Sequence, residues 1–233
     1  MKNHLSWQYD EFKQVGKDYA DGEEASNYDA RHADFRDMEA ESNKVLDTLG
    51  LKMGDLLIDF GAGTGTFAIQ AARRGARVFA VDVSQAMIAQ AQSKAAGAGQ
   101  DSIEFHQAGF LTYSHEEQPV DAIITTFAFH HLPDFWKGIA LQRLNRMLKP
   151  AGQLFIHDVI IEEANSLENI SALIDRLSAA GGDFLKEDAE GHFREEYSTY
   201  DWVMDGLLAR SGFTINSKEM DGGVIGTYLC RKN

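Results

Sequence analysis

The 233-residue chain is 44% hydrophobic and 25% charged, a composition that supports neither disorder nor a fibrous class, and its length suits one large α/β domain better than two small ones. With 22 Lys plus Arg against 36 Asp plus Glu, the formal charge of −14 sets up a field that repels phosphate backbones and anionic lipid surfaces. No basic run interrupts that field, so neither nucleic acid nor a membrane is expected as a partner.

The stretch from Trp7 to Gly22 mixes aromatics with acids and is expected to be helical, as part of an N-terminal extension over residues 1–50. Met1 to Asp10 lacks the apolar stretch of a secretory signal, and no apolar run reaches the length of a membrane span. A cytoplasmic protein is the expectation. Phe35, Met38, Val45, Leu46 and Leu49 share one helical face, and Gly50 can supply the left-handed residue that ends the helix.

From residue 51 to 160, apolar runs alternate with helical patterns, the mark of an α/β core; the loop motif described below makes 51–160 the expected cofactor-binding part. Strands are expected at Asp55 to Phe60, Val78 to Val81, Ile103 to Gln107 and Ala122 to Thr126. Between them, a helix runs from about Thr64 to Arg74. A second is capped by Ser84 and packs Met87, Ala91 and Ala95 inward. A helix after Asp134 buries Trp136, Ala140, Leu144, Met147 and Leu148; Pro150 and Gly152 then break it before a strand at Gln153 to Val159. Such alternation makes a parallel sheet covered on both faces.

Beyond that core, residues 161–200 are polar and acidic and read as a substrate lid. In residues 201–233 a helix over Asp201 to Ser211 precedes two antiparallel strands, Thr214 to Lys218 and Gly223 to Arg231, joined by a Gly222–Gly223 turn. Cys230, the single cysteine, has no intrachain disulfide partner and is expected to be a buried thiol.

Directly after the first strand stands Asp59-Phe60-Gly61-Ala62-Gly63-Thr64-Gly65-Thr66, leading into a helix. Glycines at alternate positions let the main chain turn sharply and approach a ligand closely. A dinucleotide fingerprint needs a glycine where Thr66 stands, so that pattern is not fully met. Asp59 sets a carboxylate beside the loop, which favours a cationic ligand over a pyrophosphate. Asp82, 21 positions beyond Gly61, stands where a carboxylate accepts from both hydroxyls of an adenosine ribose. The blander alternative is a tight turn with Asp82 capping the next helix; the joint spacing of strand, loop, helix, strand and acid argues against it.

These residues resemble the class I S-adenosylmethionine-dependent methyltransferases, in the style of the small-molecule enzymes of ubiquinone and menaquinone biosynthesis. Leu57 to Gly65 is similar to the family's first motif, and Val81-Asp82-Val83-Ser84 with Met87 to its second. Asp121 to Ile124 followed by Phe129-His130-His131-Leu132-Pro133 resembles the fourth-strand motif, and Leu148 to Gln153 the turn before strand five. The likeness runs from about Tyr28 to the C-terminus. It implies a Rossmann-like doubly wound sheet of seven strands, order 3-2-1-4-5-7-6, with strand 7 antiparallel, S-adenosyl-L-methionine as cofactor, and a small-molecule methyl acceptor.

By the same resemblance, Asp59 with Gly61, Ala62, Gly63, Thr64 and Gly65 holds the methionine part, Asp82 the ribose, and Val83 and Met87 the adenine. Tyr28, Thr126 and Phe127 complete the expected cofactor set, with Arg31 beside Tyr28 as a cofactor or lid contact. Gly109, in Gln107-Ala108-Gly109-Phe110, stands where the family carries an acid near adenine; the Phe110 N–H remains to serve that edge.

Methyl transfer from a sulfonium is an in-line displacement that a dry, orienting pocket accelerates; a base is needed only when the acceptor arrives protonated. His130, His131 and His157, with Asp158, are the candidate base and orienting groups, although a histidine after strand four can equally pack on the cofactor or cap the next helix. Arg194, Tyr197 and Tyr200 of the lid are candidate substrate contacts. No short metal-ligand spacing joins these histidines to Glu162 and Glu163, so no metal is assigned. Thr125-Thr126-Phe127-Ala128 lacks the Asn/Asp-Pro-Pro-Tyr/Phe pattern that grips planar amino groups. Two other functions stay open, a catalytically silent S-adenosylmethionine-binding module and an NAD-dependent oxidoreductase; homodimerisation also stays open.

Overall fold

A computed structural model of the chain describes residues 6–13, 15–16 and 37–233; Tyr28, Arg31 and Phe35 lie outside the described residues. Along β1 (Leu56–Phe60) successive side chains point to opposite faces. Leu56, Ile58 and Phe60 enter one apolar layer and Leu57 the other, and all four are buried. A strand dry on both faces needs helices on both, and the crossovers between parallel strands supply them.

In chain order, α1 (Met38–Leu49) precedes β1. Then follow α2 (Thr66–Arg73), β2 (Arg77–Asp82), α3 (Gln85–Gly97), β3 (Ile103–Gln107), β4 (Val120–Thr126), a 3-10 turn (Phe129–His131), α4 (Asp134–Met147) and β5 (Leu148–Ile161). The remainder is α5 (Ser166–Glu195), β6 (Thr199–Tyr200), α6 (Asp201–Arg210), β7 (Phe213–Asp221) and β8 (Ile225–Lys232). Gly50 ends α1 at φ 59, and Ser84 Oγ accepts the Met87 N–H at 3.1 Å at the start of α3, both as the sequence leads one to expect.

Leu46 and Leu49 of α1, Ile69 and Ala72 of α2 and Ala95 of α3 cover one face of the sheet, over Leu57, Val78 and Ile124. Opposite, Leu141 and Leu144 of α4 with Met204 and Leu208 of α6 cover Ile58, Ile123 and Ile156. Each such buried aliphatic side chain contributes about 1.5–3 kcal/mol, so the two layers dominate the stability of the domain. Cys230 is buried in the second layer as a free thiol.

The sheet runs β3-β2-β1-β4-β5-β8-β7, the anticipated seven-strand path, with β8 antiparallel to both β5 and β7. Short β6 is an addition off that path, pairing Thr199 and Tyr200 with Ile160 and Ile161. Three local features differ from expectation. Residues 6–13 form turns, not a helix, because the Asp10 side chain accepts the Phe12 N–H at 3.1 Å and the Asp10 carbonyl accepts from Lys13 at 3.2 Å. Pairing of β5 starts at Leu148 opposite Val120, before Pro150, and resumes at Gln153 opposite Ala122 after an excursion in which Ala151 takes φ 62. The polar stretch after β5 holds the long α5, interrupted by non-helical backbone at Gly181 and Gly182. No helix among the described residues is long and apolar enough to cross a membrane.

Candidate active site

The strand order reverses between β1 and β4, which opens a crevice beyond their carboxyl ends. A cavity of about 130 Å³ lies there. Gly61 and Gly63 form one wall, and Asp82, Val83, Ser84 and Met87 continue it. Gly109 and Phe110 line the next side, and Thr126, Phe127 and His131 the side after β4.

The glycine loop has distinct local causes. A Cβ on Gly61 would fall on the Ala128 side chain, and one on Gly65 would come within 2.9 Å of Ala91 Cβ, so both glycines allow close packing. Gly63 faces open space at φ 52, and its N–H donates to Asp82 Oδ2 at 2.9 Å. The other Asp82 oxygen accepts the Ser84 N–H at 2.8 Å, so the carboxylate is held by the loop and the α3 cap together. Burial raises its pKa, and these two backbone donors oppose the rise.

Asp59, Ala62, Thr64 and Gly65 do not line the cavity itself. Thr64 and Thr66 hydroxyls instead accept from Lys94 Nζ at 3.0 and 2.9 Å, pinning the loop to α3. Asp59 is buried just before the loop, with Oδ2 lacking any hydrogen-bond partner. Burial, then the Asp82 charge, push its pKa up to about 7. An acceptor so placed is costly unless a cation or donor completes it.

The three candidate histidines separate. His131 lines the cavity, and burial together with neighbouring His130 lowers its pKa to about 4, so it is neutral at pH 7. His130 is buried behind it, its Nδ1 2.5 Å from Asp158 Oδ1 and its Nε2 3.0 Å from Glu196 Oε2. Burial pulls the His130 pKa down, but the two carboxylates outweigh it and hold the value at about 9. His157 points along the sheet, with Nδ1 2.7 Å from Thr227 Oγ1 and its ring edge-on to Phe127 at 4.7 Å. Phe127 occupies the left-handed region at φ 49, an unfavourable backbone for a side chain of that size, and its N–H donates to the His157 carbonyl at 2.8 Å.

The lid candidates also divide. Arg194 is exposed and pairs with Glu190 at 3.6 Å; Tyr200 stacks on Trp202 at the surface. Tyr197 packs edge-on to Tyr9 at 6.3 Å, and its N–H donates to the His130 carbonyl at 3.0 Å. Glu162 and Glu163 do not join the histidines; Glu196 and His192 do.

Sequence reasoning missed the cavity's outer wall, made by Glu11, Lys13 and Val15. Glu11 reaches across 100 residues to accept the Leu111 N–H at 2.9 Å and the Thr112 hydroxyl at 2.6 Å. Its only sequence signal was an acid set among aromatics. Phe60 stacks on Phe110 at 5.0 Å and Arg143 holds the Phe110 carbonyl at 3.0 Å, which steadies this corner.

A doubly wound sheet with a glycine loop at its switch point and an acid ending β2 is an arrangement suited to holding a nucleoside. Residues 57–152 match the Methyltransferase domain family. The chain is 29% identical over 190 residues to an uncharacterized methyltransferase of Geobacillus kaustophilus, covering 82% of this chain and 83% of that one. It is 28% identical over 171 residues to an uncharacterized methyltransferase of Bacillus subtilis, covering 73% and 75%. Among solved structures, a SAM-dependent methyltransferase from Aquifex aeolicus superposes with a TM-score of 0.64 at 22% identity, covering 91% of this chain and 99% of that chain. At that identity the likeness speaks for the fold. Residues 57–152 thus match a methyltransferase domain, and the chain is similar to methyltransferases along most of its length.

Proposed function

We propose that the protein transfers the methyl group of S-adenosylmethionine to a small-molecule O, N, S or C nucleophile. The observation that carries this reading is Asp59 Oδ2, a buried carboxylate oxygen without a partner beside the glycine loop. A cationic donor completes it, whereas a pyrophosphate would repel it. Bound there, the cofactor supplies an electrophilic methyl on a sulfonium whose positive charge vanishes on transfer.

In this reading Gly61 and Gly63 line the amino-acid end, with Asp59 buried behind them as its negative charge, and Asp82, already oriented by Gly63 and Ser84, takes the ribose hydroxyls. Val83, Met87 and the Gly109–Phe110 corner flank the adenine. Thr126 and Phe127 complete the cofactor side of the cavity, and His131 faces the acceptor. A histidine held at about pKa 4 is a weak base but a good neutral hydrogen-bond partner, which suits an acceptor that arrives already deprotonated. The wall made by Glu11, Lys13 and Val15 narrows the crevice and, with the net charge of −14, favours a small acceptor over a nucleic acid. Glu11, Lys13 and Val15 act as a roof over the cavity and residues 161–200 as a lid.

Calorimetry with S-adenosylhomocysteine and with NADH tests the donor, and transfer of labelled methyl into a metabolite mixture tests the reaction. S-adenosylhomocysteine binding, and labelled product that disappears in Asp59→Ala, support the proposal. NADH binding without S-adenosylhomocysteine binding overturns it, and donor binding with no product across amine, thiol, phenol and carbon acids reduces the protein to a silent binding module.

A further inference from the structure

We propose that His130, His192 and Glu196 form a binding site for a divalent transition-metal ion of the zinc, cobalt or nickel kind, tying the end of α5 to the strand-end cluster behind the cavity. Donor atoms of the three side chains all lie within 4.8 Å of one another. His130 Nε2 and His192 Nδ1 both approach one carboxylate oxygen, Glu196 Oε2, at 3.0 and 2.5 Å. Two imidazoles and a carboxylate are a donor set matched to these borderline ions.

The far side of each ring carries the stronger argument. His130 Nδ1 is held by Asp158 Oδ1 at 2.5 Å, and His192 Nε2 by Ser198 Oγ at 2.7 Å. Ligating histidines are oriented in this way, the outer nitrogen bound to oxygen so that the inner one keeps its lone pair and direction. Asp158 is itself fixed by the Phe129 and Val159 N–H groups, each at 2.7 Å, so the second layer of the site is preformed. The side chains are 8% (His130), 14% (His192) and 8% (Glu196) exposed, dry enough for strong coordination yet open on the His192 side for entry.

Zinc–nitrogen distances of about 2.0–2.1 Å put tetrahedral donors roughly 3.3 Å apart, so loading requires the Glu196 carboxylate to draw back by about half an ångström. Three protein ligands leave a fourth position for water. Binding displaces the protons that otherwise bridge these groups. The ion would join α5 to the 3-10 turn whose last residue, His131, lines the cavity; the rings of His130 and His131 are 4.4 Å apart.

The test uses the full chain stripped with a chelator, then titrated with Zn²⁺ by calorimetry and with Co²⁺ by visible absorbance. One equivalent per chain, with ligand-field bands of a four-coordinate cobalt site and a rise in Tm on loading, is expected. His192→Gln and Glu196→Gln should weaken binding at least a hundredfold, Asp158→Asn ten- to a hundredfold as a second-layer change, and His115→Gln, at a histidine remote from the cluster, not at all. Substoichiometric uptake, or equal binding by wild type and folded His192→Gln, overturns the site and leaves an imidazolium at His130 shared between Asp158 and Glu196. Because Ser198→Ala removes only the outer partner of His192, a loss of cobalt affinity there keeps the test decisive even if the larger substitutions fail to fold.

Discussion

The Glu11 carboxylate fills the space that a side chain at position 109 would need: a Cβ built on Gly109 would fall on it. An acid arriving from the N-terminal segment thus occupies the corner where the family resemblance leads one to expect an acid on the loop after β3. Burial raises the Glu11 pKa, opposed by its bonds to Thr112 and Leu111.

Gly109→Asp should therefore destabilise the protein and weaken S-adenosylhomocysteine binding, because two carboxylates cannot share one buried corner. Glu11→Ala alone should cost about 1–3 kcal/mol by leaving the Leu111 N–H and Thr112 hydroxyl without their partner. In the double variant the two losses should fall well short of their sum. Urea unfolding of all four proteins gives the coupling, and strict additivity would show that the two positions do not compete.

On the proposed reading, Asp59 should make donor binding proton-linked. Its pKa of about 7 in the donor-free fold means that near neutrality much of it is protonated, whereas a cationic partner selects the carboxylate. Affinity should be flat above about pH 8 and fall towards tenfold per unit below about 6, with a proton released on binding. Calorimetry in two buffers of different ionisation enthalpy reads that proton. For stability the sign is opposite to that of an ordinary ion-paired acid. The folded state keeps a proton that the unfolded chain gives up near 3.8, so stability falls as pH rises from about 4 to 7. Asp59→Asn should lose this slope and match or exceed the wild type at pH 8, while binding the donor poorly.

Much of this was open to reading because β1, β2 and β4 are buried on both faces, and buried runs between turn residues leave a strong sequence pattern. The place of Asp82 at the end of β2 was legible for a related reason, since strand, acid and Ser cap follow one another directly in the sequence. The pairing of His192 with Glu196 was present as a four-residue spacing on one helix, but its meaning needs His130, 62 positions earlier, and only the fold brings them together. Glu11 left still less trace, because a lone acid reaching over 100 residues has no period. The start of β5 misled for a physical reason: Pro150 and Gly152 do break the helix, yet Leu148 is already drawn into pairing with Val120 by its burial.

Asp82→Asn keeps the shape of the side chain and its two acceptor contacts in part, but removes the charge. S-adenosylhomocysteine affinity should fall roughly ten- to a hundredfold, as for loss of a charged hydrogen-bond partner, with Tm changed by only a few degrees. A Tm collapse without specific loss of binding would make Asp82 a cap of α3 and nothing more.

Lys137 is 1% exposed and holds the segment after α5, donating to Asp134 at 2.9 Å and to the Tyr197 carbonyl. Lys137→Met fills the space but leaves that carbonyl unpaired. A loss of about 1–3 kcal/mol is expected, with hydrogen exchange quickened at residues 196–200 before the sheet is affected. Uniform loss of protection across the domain would contradict a local latch.

The position of β8 has a consequence for damaged or shortened chains. It is an interior strand, flanked by β5 and β7, although it is encoded late in the sequence. A chain interrupted before Ile225 would leave two unsatisfied rows of amides and carbonyls facing an empty slot, each ready to recruit a strand from another molecule. Loss of so few residues would then show itself first as insolubility, long before any defect in catalysis could be measured.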